Sequence, residues 1–399
     1  MTSELSTFAA RLRDFIAAAS PVPVCAGGGG LNLALGTRHS ALENEPPHIG
    51  CYDEAFPRLA VELFALQFAH NATYRKFCEA RRITPLTIAD CSQIPAIPTA
   101  AFKELELTSL APAQRTQVFH SSGTTEQRPS RHFHGAESLA VYEASLWAGF
   151  AAHVLADLRF PISDFRLVAL TPPPTLAPHS SLVHMFECVR QKLGADGPVF
   201  CGRLDAAGAW TLDPDQILAR LKSAETSGGR CLLLGTAFSF VHLLDDLGER
   251  NIRVKLPLGS RVLETGGYKG RSRTVPKAEL QELITERLGV PPSQIICEYG
   301  MSELSSQAYD VRPGATRHSP PASRSFHLPP WARAQIISPE TGREVAEGET
   351  GLIRVFDLAN VFSVLAIQTE DLAVRRSEGF ALLGRAARAE ARGCSLMAV

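Results

Sequence analysis

The stretch RVLETGGYKGRSRTVPKAELQELITERLGVPPSQIICEYG, Arg261 to Gly300, carries the alternation that decides the fold class. Its first five residues, Arg261 to Thr265, form a short β-like run that opens into paired glycines. From Pro276 to Leu288 the period changes: Pro stands at the start, Leu280, Leu283, Ile284 and Leu288 share one face, and Gly289 marks the stop, as in a helix. A second β-like run, Gln294 to Tyr299, follows. Further strand candidates flank this unit at Phe165 to Thr171, Arg230 to Gly235 and Gly351 to Phe356. Strands that alternate with helices predict an α/β fold with mixed sheets flanked by helices, and a β-rich C-terminal part.

Towards the N-terminus, a helical pattern runs from Glu54 through FPRLAVELFALQFAHNATYRKFCEARR, and Phe8, Leu12, Phe15 and Ile16 fall at helical spacing. Between these helices lies a Gly/Pro-rich linker, Ser20 to Pro47. Its four consecutive glycines, Gly27 to Gly30, do not fit the G-x-G-x-x-G pattern. Pro313 to Pro330 reads as a surface excursion. The organisation expected is residues 1–50 as helix and linker, 51–385 as one large domain, and 386–399 as a tail.

Composition excludes several classes. The 399 residues are 45% hydrophobic and 20% charged, with a net charge of −1, which is ordinary for a globular chain and gives nucleic acid no concentrated basic face. No apolar run reaches the length of a membrane span, and the N-terminus lacks a continuous apolar signal segment, so a cytoplasmic protein is expected. The nine cysteines are scattered without C-x-x-C or zinc spacing, as buried thiols of a reducing compartment are.

Four stretches bear chemistry. Gln117 to His132 reads QVFHSSGTTEQRPSRH, with four hydroxyls around Gly123 directly after Val118-Phe119. Small residues let backbone N–H groups approach an anion while hydroxyls add donors, which suits phosphate; a solvated Ser/Thr turn uses the same residues. Leu263 to Arg271, LETGGYKGR, exposes bare backbone to a planar ligand. Cys297 to Gln307, CEYGMSELSSQ, ends a strand at Tyr299-Gly300 and is followed by Ser302-Glu303. Thr369 to Arg385, TEDLAVRRSEGFALLGR, places Glu370 and Asp371 in a turn and Arg385 after a glycine. Taken singly, a tyrosine is as readily core and an acidic pair as readily a solvated turn.

In this order the four stretches resemble the adenylate-forming enzymes, which make an acyl-AMP from a carboxylate and ATP. IPAIPTAAFKELEL, HSSLVHM (His179 to Met185), TGGYKGR, EYGMSELSSQ and the ending ARGCSL resemble more closely the acyl-protein synthetase (LuxE-like) branch, the long-chain-fatty-acid–protein ligases of bacterial bioluminescence, with phenylacetate–CoA ligases as cousins. The resemblance runs from about Glu54 to the last residues. It implies the fold of an adenylate-forming N-terminal domain, ATP and Mg2+ as cofactors, a carboxylic acid as substrate, and an acyl-acceptor protein such as a reductase or carrier as partner.

The roles it implies are specific. Ser121, Ser122, Gly123, Thr124 and Thr125 cradle the β- and γ-phosphates. Gly266, Gly267 and Tyr268 border the adenine and Tyr299 stacks on it, with Gly300 and Ser302 completing that motif. Glu303 holds Mg2+, and Asp371 accepts from the ribose hydroxyls with Arg385 nearby. Glu126 and Ser302 depart from the usual glycine and threonine. The family continues about a hundred residues beyond its G-R motif and supplies from there a lysine for the α-phosphate charge. Here the sequence stops fourteen residues after Arg385, so that lysine domain is expected to be missing; either a nearby cation, Lys269, Arg271 or Arg128, substitutes for it or activation is slow. Cys394, in a terminal segment beside Arg388 and Arg392, is the expected acyl-acceptor thiol; a small apolar residue docking the tail is the plainer reading. His184 is a candidate donor to substrate, and Gly235 to Phe240, including Phe238, line either an acyl pocket or ordinary core. The rival readings are transfer of the acyl group to coenzyme A, a carrier or an amine, and a catalytically degenerate binding homologue.

Overall fold

The structure, a computed structural model, describes residues 3–20, 49–121, 128–155, 164–268, 272–310 and 324–386. The chain begins with α1 (Ser3–Ala19), α2 (Ile49–His70) and α3 (Ala72–Glu79). Next come β1 (Ile97–Pro98), α4 (Ala101–Glu104), and a hairpin of β2 (Gln117–His120) and β3 (Arg131–His134). α5 (Ala136–Phe150), β4 (Phe165–Ala169) and α6 (Ser181–Lys192) lead to a second hairpin, β5 (Gly202–Leu204) and β6 (Trp210–Leu212). Strand and helix then alternate: α7 (Pro214–Ser227), β7 (Arg230–Thr236), α8 (Ala237–Glu249), β8 (Arg261–Thr265), α9 (Lys277–Leu288) and β9 (Ile295–Tyr299), with β10 (Ala308–Tyr309) turning back. Four long strands close the described chain: β11 (Ala332–Ile337), β12 (Thr350–Asp357), β13 (Ala366–Arg376) and β14 (Gly379–Arg385).

The first sheet is ordered β10-β9-β8-β7-β4, parallel except for β10. Side chains of a strand alternate between faces, so a parallel sheet covered on both sides needs apolar residues at every central position. This chain meets that need. Cys231, Leu233, Val262 and Ile295 pack with residues of α7, α8 and α9, while Leu232, Leu234, Leu263 and Ile296 pack with residues of α5 and α6. α9 is bounded as its sequence implies: Pro276 precedes it, and Gly289 ends it in the left-handed conformation at φ 70°.

The second sheet is ordered β1-β13-β12-β11, with β14 paired to β13. Its core takes in Ile353, Val355 and Ile367 together with Leu5, Phe8, Leu12 and Ile16, the apolar stripe of α1. The helical pattern after Glu54 proves to be two helices. Asn71 interrupts it, its side chain accepting from the Tyr74 amide as the cap of α3. Tyr299 and Cys297 of β9 join this second core, and so the end of β9 lies between the two bodies.

Candidate active site

In a parallel α/β sheet the carboxyl ends of the strands share one edge, and ligands bind there. Here that edge carries Thr236, Thr265 and Glu298 in register on β7, β8 and β9. β8 runs out into Gly266, whose φ of 69° only glycine adopts without strain. Tyr268 then turns inward, its hydroxyl donating to the Val275 carbonyl at 2.6 Å. Glu298 is buried and accepts from the Thr265 hydroxyl. Burial pushes its carboxyl up to about 7, with the neighbouring Glu264 adding to the rise and Thr265 opposing it.

Tyr299 ends β9 with 8% of its surface exposed. Its hydroxyl donates to Asp371 Oδ2 at 2.9 Å, and its ring meets Phe380 and Phe326 edge-on at 5.5 and 6.1 Å. Burial first, and Asp371 second, hold the phenol well above its usual range, so it remains a neutral donor. Asp371 faces Arg385 across β13 and β14, with the guanidinium Nε 3.8 Å from Oδ1. The turn expected at Glu370-Asp371 is therefore a strand: Asp371 pairs with Arg385 of β14 and the Glu370 carbonyl accepts from the Ala386 amide, while the two acids fall at an irregularity in the pairing with β12, so pairing with β14 overrides the local preference of two acids for a turn.

Beyond Gly300 the chain loops through Ser302 and Glu303, both nearly buried. The Ser302 hydroxyl donates to Glu303 Oε2 at 3.0 Å and lies 3.4 Å from the hydroxyl of Ser130. His132 Nδ1 donates to the Ser302 carbonyl at 2.9 Å. Burial takes the His132 pKa down to about 4, so its ring is neutral at physiological pH. Ser130 also donates its amide to the Ser121 hydroxyl at 3.0 Å, which joins the stem of the hydroxyl-rich loop to the Ser302-Glu303 loop through β3. Ser122, Gly123, Thr124 and Thr125 lie outside the described residues, as do Lys269, Arg271 and Cys394.

The remaining candidates are placed elsewhere. His184 Nε2 is 3.0 Å from Glu143, and its ring packs on Phe119 and Tyr142 behind the hairpin. Gly235 is close-packed, since an added methyl would press on Leu170 and Phe240. Phe238 is buried with its ring 6.5 Å from that of Trp210. Arg128 is exposed, 3.5 Å from Glu104. Sequence reading missed Ser130 and His132; the alternation Arg131-His132-Phe133-His134, with both histidines buried, was the available signal. No described helix is long and apolar enough to cross a membrane.

Several known proteins are similar to this chain in sequence or in fold. A family model described as "Acyl-protein synthetase, LuxE" matches residues 199–398. The chain is similar to the long-chain-fatty-acid–luciferin-component ligase of Aliivibrio fischeri, at 21% identity over 320 residues, 79% of this chain and 78% of that one. It is similar also to the ligase of the same description from Vibrio harveyi, at 22% over 328 residues, 80% and 79% of the two chains. Among solved structures, 2-hydroxyisobutyryl-CoA ligase in complex with 2-HIB-AMP and CoA aligns with a TM-score of 0.62 at 15% identity, over 84% of this chain and 68% of that chain. An open conformation of that ligase aligns at 0.58 and 13% identity, with 84% and 68% covered. The fold expected from the resemblance, the N-terminal domain of an adenylate-forming enzyme, is thus the fold found. The chain belongs to the acyl-protein synthetase (LuxE) family.

Proposed function

We propose that this enzyme activates a carboxylic acid, of the fatty acid class, with ATP and passes the acyl group to a protein thiol. A carboxylate oxygen attacks the α-phosphorus, the bond to the bridging oxygen breaks, and pyrophosphate leaves. A thiolate then attacks the acyl carbonyl and AMP leaves. The observation that carries this reading is the meeting of three distant motifs on one loop: Tyr299 with Asp371 at 2.9 Å, and Ser302-Glu303 with the stem of the hydroxyl loop through Ser130 and His132.

The groups present suit the nucleotide. Asp371 accepts from ribose hydroxyls while the Arg385 guanidinium beside it, 76% exposed, meets a phosphate or the departing AMP. Ser121 begins the loop for the β- and γ-phosphates. Gly266, Gly267 and Tyr268 lie along the adenine. The Glu303 carboxylate, a hard oxygen donor that accepts from Ser302, fits Mg2+, which takes one or two carboxylates and completes its shell with phosphate and water. Among the described residues no group of three or more His, Cys, Asp or Glu gathers into a metal cage of its own, as a phosphate-borne ion requires none. Mg2+ would offset triphosphate charge as pyrophosphate leaves. Cys394, outside the described residues, is the proposed thiol of this chain, and the final acceptor is a protein partner, as the names of the two luciferin-component ligases suggest.

The test is acid-dependent exchange of labelled pyrophosphate into ATP. Exchange is expected with fatty acids in the presence of Mg2+; Glu303→Gln should lower it by about 100-fold, the size of one lost group that stabilises transition-state charge, and Asp371→Ala by about tenfold or more, the size of a lost hydrogen bond to a charged group. Full exchange in both variants would overturn the assignment.

A further inference from the structure

Between the second sheet and Glu303 runs a buried polar seam. β12 ends at Asp357, which is fully buried, and the chain turns through residues 358–365 before β13. The Asp357 carboxylate accepts from the Ser305 and Ser306 amides at 2.8 Å each, from the Ser306 hydroxyl at 2.7 Å and from the Ala359 amide at 3.0 Å. Three residues on is Asn360, 1% exposed. Its side-chain nitrogen donates to the Glu303 carbonyl and to the Val364 carbonyl, both at 3.1 Å. Its side-chain oxygen accepts from the Ser305 hydroxyl at 2.7 Å, and its backbone carbonyl accepts from Gln67 of α2 at 2.8 Å. Both donors of the carboxamide are used, and only a carboxamide supplies two donors and an acceptor in one plane.

A saturated buried network of this kind adds little stability over well-packed apolar residues; it is better suited to fixing one geometry. What it fixes here is specific. The peptide plane after the Glu303 α-carbon is held by Asn360 at the Glu303 carbonyl, from the second sheet. The plane before it is held by His132 at the Ser302 carbonyl, from the hairpin. With both neighbouring peptide planes pinned from opposite sides, the backbone dihedrals of Glu303 cannot drift, and neither can the starting direction of its carboxylate.

We propose that Asn360 and His132 are positioning residues that jointly aim the Glu303 carboxylate at the nucleotide-borne metal ion. The proposal rests on the reading of Glu303 as the ligand to that ion. Neither residue needs to touch nucleotide, acid or metal. The hairpin and the second sheet are thereby coupled at one α-carbon, because each contributes one of the two clamps.

The experiment is a calorimetric titration of Mn2+ onto the full chain saturated with a non-hydrolysable ATP analogue, beside a thermal melt of each variant. Asn360→Ala and His132→Phe should each weaken Mn2+ by about tenfold, the usual effect of removing a group that orients a metal ligand. His132→Phe keeps an aromatic ring at the position while removing the donor, and stands in if Asn360→Ala does not fold. Asn71→Ala is the control: it cuts a bond to the same turn, at the Ser363 carbonyl, and removes the α3 cap. It should lower the melting temperature and leave Mn2+ affinity within about twofold. In a Glu303→Gln background Asn360→Ala should add no further loss. Wild-type affinity in both Asn360→Ala and His132→Phe, or an equal loss in Asn71→Ala, would overturn the positioning role. Glu303→Gln binding Mn2+ as the wild type does would instead overturn the metal reading of Glu303, and the positioning proposal with it.

Discussion

Around the carboxyl ends of β8 and β9 the buried polar groups have few partners each, and one in the adjoining β10 has none, whereas in the turn between β12 and β13 they are saturated. Glu298 has the Thr265 hydroxyl, and the buried hydroxyl of Tyr309 in the adjoining β10 has no hydrogen-bond partner among the described residues. Asp357, equally buried, accepts four hydrogen bonds, and the Asn360 carboxamide makes three. The contrast separates two uses of buried polarity. A saturated network holds a loop in one shape, since breaking any member leaves another unpaired in a dry interior. An unsaturated set stores no such rigidity and leaves its charge state free to respond to surroundings.

The largest effect expected from this contrast is on stability. Asp357→Ala leaves the Ser305, Ser306 and Ala359 amides and the Ser306 hydroxyl without their acceptor, and should lower the unfolding free energy by about 4 kcal/mol, as several buried unsatisfied donors together do. Urea denaturation measures it; a loss below about 1 kcal/mol would erase the distinction between the two regions.

A smaller effect belongs to the open end. The folded-state pKa of Glu298 is raised to about 7 from 4.5, so between these values the folded chain binds more proton than the unfolded chain. The contribution of Glu298 is therefore fully present below pH 4.5 and is lost as pH rises through 7. Relative to Glu298→Gln, the wild type should lose stability over that window by at most about 1.4 kcal/mol per pH unit. His132 works in the opposite sense over pH 4 to 6.5, its depressed pKa making stability rise with pH. The difference between the two proteins, rather than either curve alone, isolates Glu298. A flat difference would show that burial does not raise the Glu298 carboxyl.

The smallest is Tyr299→Phe. It removes one hydrogen bond, to Asp371, while keeping the ring between Phe326 and Phe380. It should cost about 1 kcal/mol in nucleotide binding, or roughly fivefold in affinity, with little change in unfolding.

What was legible in the sequence follows the same division. The alternation from Arg261 to Gly300 was readable because a two-sided parallel sheet demands a local apolar pattern, and the ends of β8, β9 and α9 fall within a residue of expectation. Tyr299, Asp371 and Arg385 were found through motif order, and the structure brings them together. His132, Asp357 and Asn360 were not found. Their partners stand 170, 52 and 57 positions away, and FDLANVF carries no local mark that its Asp and Asn are buried. The Asn71 break was missed for a related reason, since one polar residue in a long apolar period looks like a solvent-facing position until its cap bond to Tyr74 is seen.

The measurement that tests the central claim most directly is the intact mass of the protein after incubation with ATP, Mg2+ and a mixture of fatty acids, beside Cys394→Ser. The expected result is an acyl mass increase, released by hydroxylamine, on the wild type and not on the variant. No adduct on either protein, with no pyrophosphate released, would contradict the account.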